Sequence, residues 1–202
     1  MPRIQHRFEF PDRFVAGTVG EPGQRTFFVQ ARKGNQLVSV LCEKQQVEVL
    51  AEHLERILDE LAQLIEGAVE VPPQRTAARD LDPLDAPLSE DFRAGTMTIA
   101  WDGNLDAVQV ELFSVDTEQA EEAEIPGIDT SSLAELEGLD DVLSAAESLT
   151  VTITPDQARD FTARARALVQ AGRPACPFCT QPINPDGHIC PRANGYRRPL
   201  FL

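Results

Sequence analysis

Between Ala94 and Ala158 the chain carries no lysine and no arginine, yet the same span holds 15 acidic residues. That span alone accounts for the whole net charge of −15. A polyanion is repelled by such a surface, so duplex nucleic acid is excluded as a partner there. Long apolar runs are missing too. No stretch approaches the roughly 20 residues a membrane helix needs, and the opening "MPRIQHRFEF" has no apolar run behind its charges. The expectation is a cytoplasmic protein with no membrane partner. Cysteine is scarce: three of the four residues sit in one short segment, unlike a secreted disulfide framework. G-x-x-x-x-G-K-[ST], G-x-S-x-G and H-E-x-x-H are all missing. Nothing in the sequence builds a nucleophile-and-base pair, so a non-enzyme is favoured.

What is present reads as α+β. "IQHRFEF" alternates, with Ile4, His6, Phe8 and Phe10 on one face. "FVAGTV" follows, then "TFFVQAR" and "QLVSVLC" as a hairpin about the turn Lys33–Asn35. Leucines and isoleucines spaced by three and four predict a helix over Lys44–Glu66. Residues 67–89, rich in proline and charge, read as a connector. "GTMTIAW" and "DAVQVELF" form a second hairpin about Asp102–Asn104, and "SLTVTIT" a further strand. A second helix is predicted over Pro155–Gln170, with Thr154 as N-cap, Pro155 first and Gln157 completing a capping box. The expected fold is a mainly antiparallel sheet of about seven strands, covered on one face by both helices. The two G-N turns, each followed later by a helix, suggest a duplicated hairpin–helix unit. The expected division is an α+β domain over 1–171 and a tail over 172–202.

Residues 116–147 form an acidic insertion with leucine anchors. It is expected to be mobile and dispensable for folding, either solvated or a docking arm for a basic protein partner.

The chemistry concentrates in the tail. Cys176-Pro-Phe-Cys179 is followed by His188-Ile-Cys190. A C-x-x-C turn aims two sulfurs at one centre, "NPDG" can reverse the chain, and His188 and Cys190 point the same way on an extended segment. Cys₃His is a standard structural zinc set. A redox C-x-x-C normally opens a helix after a strand, and this one follows a helix in a proline-rich tail. A catalytic zinc keeps one position open, and here four candidates fill the shell. The reading is a structural Zn²⁺ knuckle held by Cys176, Cys179, His188 and Cys190. Beyond it, Arg192, Tyr196, Arg197 and Arg198 with Leu200, Phe201 and Leu202 offer a surface (192–202) for a protein or single-stranded nucleic acid, or dock on the chain's own sheet. Arg159, Arg164, Arg166 and Arg173 add to a locally positive C-terminal region.

Other candidates are weaker. Cys42 reads as a buried free thiol, His6 as a core or edge histidine, and His53 as solvated. Asp80, Asp82, Asp85, Glu90 and Asp91 could gather a cation, but a solvated connector fits them better.

The blocks "FEFPDRFVAGTVGEPGQRTFFVQA", "LCEKQQVEVLAEHLERIL" and "GHICPRANGYRRPL" together resemble the actinobacterial DUF3090 family of unknown function. The resemblance covers nearly the whole chain and implies no activity. The function expected is a zinc-containing, non-enzymatic interaction or regulatory protein. The alternatives are a hydrolase or transferase with a site between sheet and zinc tail, and single-stranded nucleic acid binding through the tail.

Overall fold

The structure, a computed structural model, describes residues 3–64, 70–115, 145–172, 176–180, 183 and 187–192. The chain order is β1 (Ile4–Glu9), β2 (Arg13–Val19), β3 (Thr26–Lys33), β4 (Gln36–Cys42), α1 (Lys44–Leu64), β5 (Phe92–Asp102), β6 (Ala107–Ser114), β7 (Glu147–Ile153) and α2 (Pro155–Gln170). The strands form one seven-stranded sheet in the order β1-β7-β6-β5-β4-β3-β2. Most pairings are antiparallel, as expected. Two are parallel, β1 with β7 and β4 with β5, so the sheet is mixed. For β4 and β5 the cause is the crossover: α1 carries the chain from one to the other and lets both run the same way.

β1 and β2 lie at opposite edges of this sheet, but only Phe10, Pro11 and Asp12 join them. Six intervals of about 4.8 Å would separate the edges of a flat sheet by about 29 Å. The link from Glu9 to Arg13 spans at most about 14 Å. The sheet therefore curls. Consistent with this, His6 on β1 stacks on Phe92 of β5 with ring centroids 6.4 Å apart. Lys33 Nζ at the end of β3 donates to Glu9 O. Phe8 alone of the apolar β1 residues is fully buried; Ile4 and Phe10 are 50% and 41% exposed, narrower than the alternation predicts. Phe10 lies past the strand's end with φ 48°.

The concave face holds the core. Phe14, Val29, Val40, Val110 and Val151 point inward and meet Leu54 of α1 and Phe161 of α2 in one cluster. Both helices thus lie on the same face, as expected. Phe14 and Phe161 stack at 4.7 Å. Gln46 fixes the start of α1: its Oε1 accepts from Glu43 N (2.8 Å), and its Nε2 donates to Ala94 O and Gly95 O at the bulge of β5. The expected end at Glu66 lies outside the described residues. α2 has the predicted bounds and a complete capping box.

The repeat differs from the expected hairpin–helix unit. Three consecutive antiparallel strands and a helix occur twice, as β2-β3-β4-α1 and β5-β6-β7-α2. The G-N turns fall at different places in it, between β3 and β4 and between β5 and β6.

Residues 70–79 run along the helices: Val71 packs on the core, Gln74 bonds Glu55 of α1, and Arg75 and Arg79 bind Asp156 of α2. Residues 80–91 then cross the convex face of the first unit. Arg13 binds Asp80 through two nitrogens (2.6 and 2.9 Å) and Asp85 at 2.9 Å. Gln30 pairs with the backbone of Asp85 in both directions. Leu84 sits over Gly17 so closely that a Cβ there would lie 2.4 Å from its Cγ. Val15, Phe28 and Leu41 are buried on that face, while Leu37 is half-buried and Val19 exposed at its margin. Most of the acidic insertion, 116–144, lies outside the described residues. Its expected end at Glu147 is too late: Ala145 is buried, Ala146 O accepts from Ile4 N at 2.9 Å, and Glu147 opens β7 opposite Ile4.

Candidate metal centre

The turn Cys176–Thr180 closes through Thr180 N donating to Cys176 O at 2.8 Å. Pro177 suits its second position, since its φ is already set. Thr180 leaves the turn with φ 62°. Gly187 has φ 87°, which a side chain would strain, and it brings the chain back to His188. The result gathers the four predicted residues: the ligand-type atoms of Cys176, Cys179, His188 and Cys190 all lie within 4.8 Å of one another. Cys176 Sγ is 3.7 Å from Cys190 Sγ, and Cys179 Sγ is 3.2 Å from His188 Nε2. A tetrahedron with metal–sulfur bonds of about 2.3 Å has edges of about 3.8 Å. The observed spacings fit that size, so the cluster could hold a metal ion. All four cysteines of the chain are free of disulfides.

The electrostatics favour the ligating form. Burial works to raise the Cys176 thiol. The N–H groups of Cys179 and Phe178, with the thiols of Cys179 and Cys190, outweigh it and hold Cys176 below the ordinary cysteine value. Thiolate is the form that binds a metal. Cys176 and Cys190 are buried, and Cys179 and His188 half-buried. Around them, Phe178 and Ile189 project outward, 61% and 81% exposed. Arg192 Nη1 donates to Phe178 O at 3.1 Å. Tyr196, Arg197, Arg198, Leu200, Phe201 and Leu202 lie outside the described residues, as does Arg173.

The remaining candidates have other roles. Cys42 is buried on β4, its thiol donating to Val40 O at 3.6 Å, and burial pushes its pKa up to about 12. His6 is half-buried against Phe92, with Nε2 3.9 Å from Glu147 Oε2. His53 is exposed on α1. Asp80 and Asp85 gather arginines, not a metal cation. Arg13 holds Asp80 below the usual carboxylate range against an opposing burial, with Arg164 helping. Burial works to raise Asp85, but Arg13 and Arg32 bring it down overall. Asp91 Oδ2 accepts from Ser39 N at 2.7 Å. A cavity of about 530 Å³ is lined in part by His6, Arg7 and Asp91.

Three arginines assigned to a positive C-terminal region turn inward instead. Arg159 is 2% exposed and binds Asp59 at 2.5 Å and Pro72 O at 3.0 Å. Arg164 reaches Ala16 O, Asp80 and Asp82 O. Arg166 pairs with Glu55. They neutralise acids of α1 and of residues 70–91, which offsets the cost of burying either sign alone. The available signal was an acid-rich connector with few bases of its own, which needs cations from elsewhere in the fold.

These observations define a class: a mixed α+β protein with a Cys₃His cluster able to hold a metal ion. The family model described as a protein of unknown function, DUF3090, matches residues 6–190, and the chain belongs to that family. The matched span takes in all four cluster residues. No curated protein and no solved structure matches the chain. Among the described residues, no helix is long and apolar enough to cross a membrane.

Proposed function

We propose that this protein is a non-enzymatic interaction or regulatory protein built around a structural zinc ion. Cys176, Cys179, His188 and Cys190 hold the zinc. The supporting observation is the convergence of four ligand-type atoms from two short segments at tetrahedral spacing. Four protein ligands leave no position for a reacting water, so zinc here stabilises structure. A segment as short as 172–202 buries too little apolar area to fold alone. Zinc binding in comparable peptides contributes about 10–16 kcal/mol, enough to order it.

The ordered knuckle then presents Phe178, Ile189 and Arg192 to a protein partner, with residues 192–202 extending the surface. The insertion 116–147 is a second arm, suited by charge to a basic partner. A second reading, single-stranded nucleic acid, is favoured by the exposed Phe178 beside Arg192, since bases stack on such pairs.

Metal analysis of the purified, reduced chain should give one zinc per chain, and Cys179→Ser should lose most of it. A reduced wild-type chain with no zinc, or with a Cys176–Cys179 disulfide under reducing conditions, would sink the reading. Capture of partners from the native host, with and without chelator, separates the two binding readings. A protein bound only by the zinc form supports the first, and nuclease-sensitive material the second.

A further inference from the structure

The four cysteines occupy three environments. Cys42 is remote from solvent, and with a pKa of about 12 it stays a thiol at neutral pH. A thiol is a poor nucleophile. Cys176 and Cys190 are 3% and 7% exposed, their sulfurs 3.7 Å apart. Cys179 is the most open of the cluster's three cysteines. It stands one turn from Cys176, in a loop closed by the Thr180 to Cys176 hydrogen bond.

We infer that the metal centre is a peroxide-responsive switch, in which oxidation enters at Cys179, is resolved by Cys176 and releases the metal. The inference rests on the zinc reading above and adds the regulation of that site. Hydrogen peroxide is the oxidant. The Cys179 thiolate attacks one peroxide oxygen, the O–O bond breaks, and hydroxide leaves; the sulfur becomes a sulfenic acid. The Cys176 thiolate then attacks that sulfur. The S–O bond breaks, a second hydroxide leaves, and the S–S bond forms. Two thiolates have lost two electrons and the peroxide has gained them. Only His188 and Cys190 remain as ligands, and the ion departs. The fold of the knuckle depends on the metal, so Phe178 and Ile189 are no longer presented together. Reduction and zinc restore both.

The test uses the reduced, zinc-loaded full chain. Hydrogen peroxide is added in rising molar ratio, released zinc is read with a chromogenic chelator, and thiols are mapped by alkylation and mass spectrometry. Release should rise to one equivalent per chain in step with the loss of the Cys179 thiol. Cys42 should stay reduced, Cys42→Ala should give the same curve, and reductant with zinc should reverse it. Zinc that stays bound under a large excess of peroxide overturns the inference. So does release that follows the oxidation of Cys42 or begins at Cys190. Each of those results leaves the zinc reading standing. A reduced chain that contains no zinc overturns both.

Discussion

The two β-β-β-α units share an inner core but differ on their outer faces. On the first, Val15, Gln30, Ser39 and Leu41 are all buried, on the face that residues 80–91 cross. On the second, Thr98 and Ala100 are exposed, and Glu111 and Thr150 half-buried. Glu111 there accepts hydrogen bonds from Thr98, Gln109 and Thr150. The difference teaches what each strand set demands. "TFFVQAR" and "QLVSVLC" place apolar residues on both faces, and a two-sided apolar sheet must be covered twice. "MTIAW" and "VQVEL" alternate cleanly and need one cover only. The chain meets the first demand with a segment lacking regular structure, held by arginines.

The strongest way to break the comparison is to attack what the units share. Phe161→Ala removes a ring stacked on Phe14 and should cost about 3–5 kcal/mol. Both units should melt in one transition by calorimetry and by hydrogen exchange. Loss of protection in one unit alone would show two independent cores.

The next test sharpens the difference. Arg13→Ala and Asp80→Ala should each destabilise the protein, and the double-mutant cycle should show a coupling of roughly 0.5–3 kcal/mol. The pH dependence follows from the sign of the shifts. Asp80 and Asp85 are held below the usual carboxylate value in the folded chain. Their contribution is complete above the unfolded pKa, about 3.9. It is lost as pH falls through the lower folded values. Amides of β2 and β3 should lose protection below about pH 4 before those of β6, and Asp80→Asn should flatten that dependence. Equal acid sensitivity in both units would remove the role assigned to the covering segment.

The smallest effects belong to the open side. Glu111→Gln should change stability by no more than about 0.5 kcal/mol. Replacing 116–144 with a Gly-Ser linker should shift Tm by less than about 2 °C. A large drop would place Leu136, Leu139 and Val142 in the core and end the docking-arm idea.

Local patterns were legible in the sequence. The capping box at Thr154 marked the first turn of α2, the G-N turns marked two hairpins, and ligand spacing marked the four residues of the metal cluster. Long-range pairing was not. Nothing in "IQHRFE" encodes β7 as its partner, because an alternating strand can pair with any neighbour that shares its faces. The covering segment was hidden for the same reason. Its proline and charge read as a linker until Arg13, Gln30 and Arg164, all far away in the chain, are brought to it. The acids at 80–85 look like a cation site only while those arginines are out of view.

The short link between the two edge strands has a consequence for how the chain is made. β1 leaves the ribosome before the other strands of this sheet, but its partner begins at Glu147. During synthesis β2, β3 and β4 can pair as they emerge, while β1 has no neighbour until most of the body has been translated. An unpaired strand invites association with other chains, and long-range contacts of this kind slow folding. The last sheet strand synthesised therefore completes the first, and a ribosome stalled before Glu147 would leave the nascent protein with its N-terminal edge open.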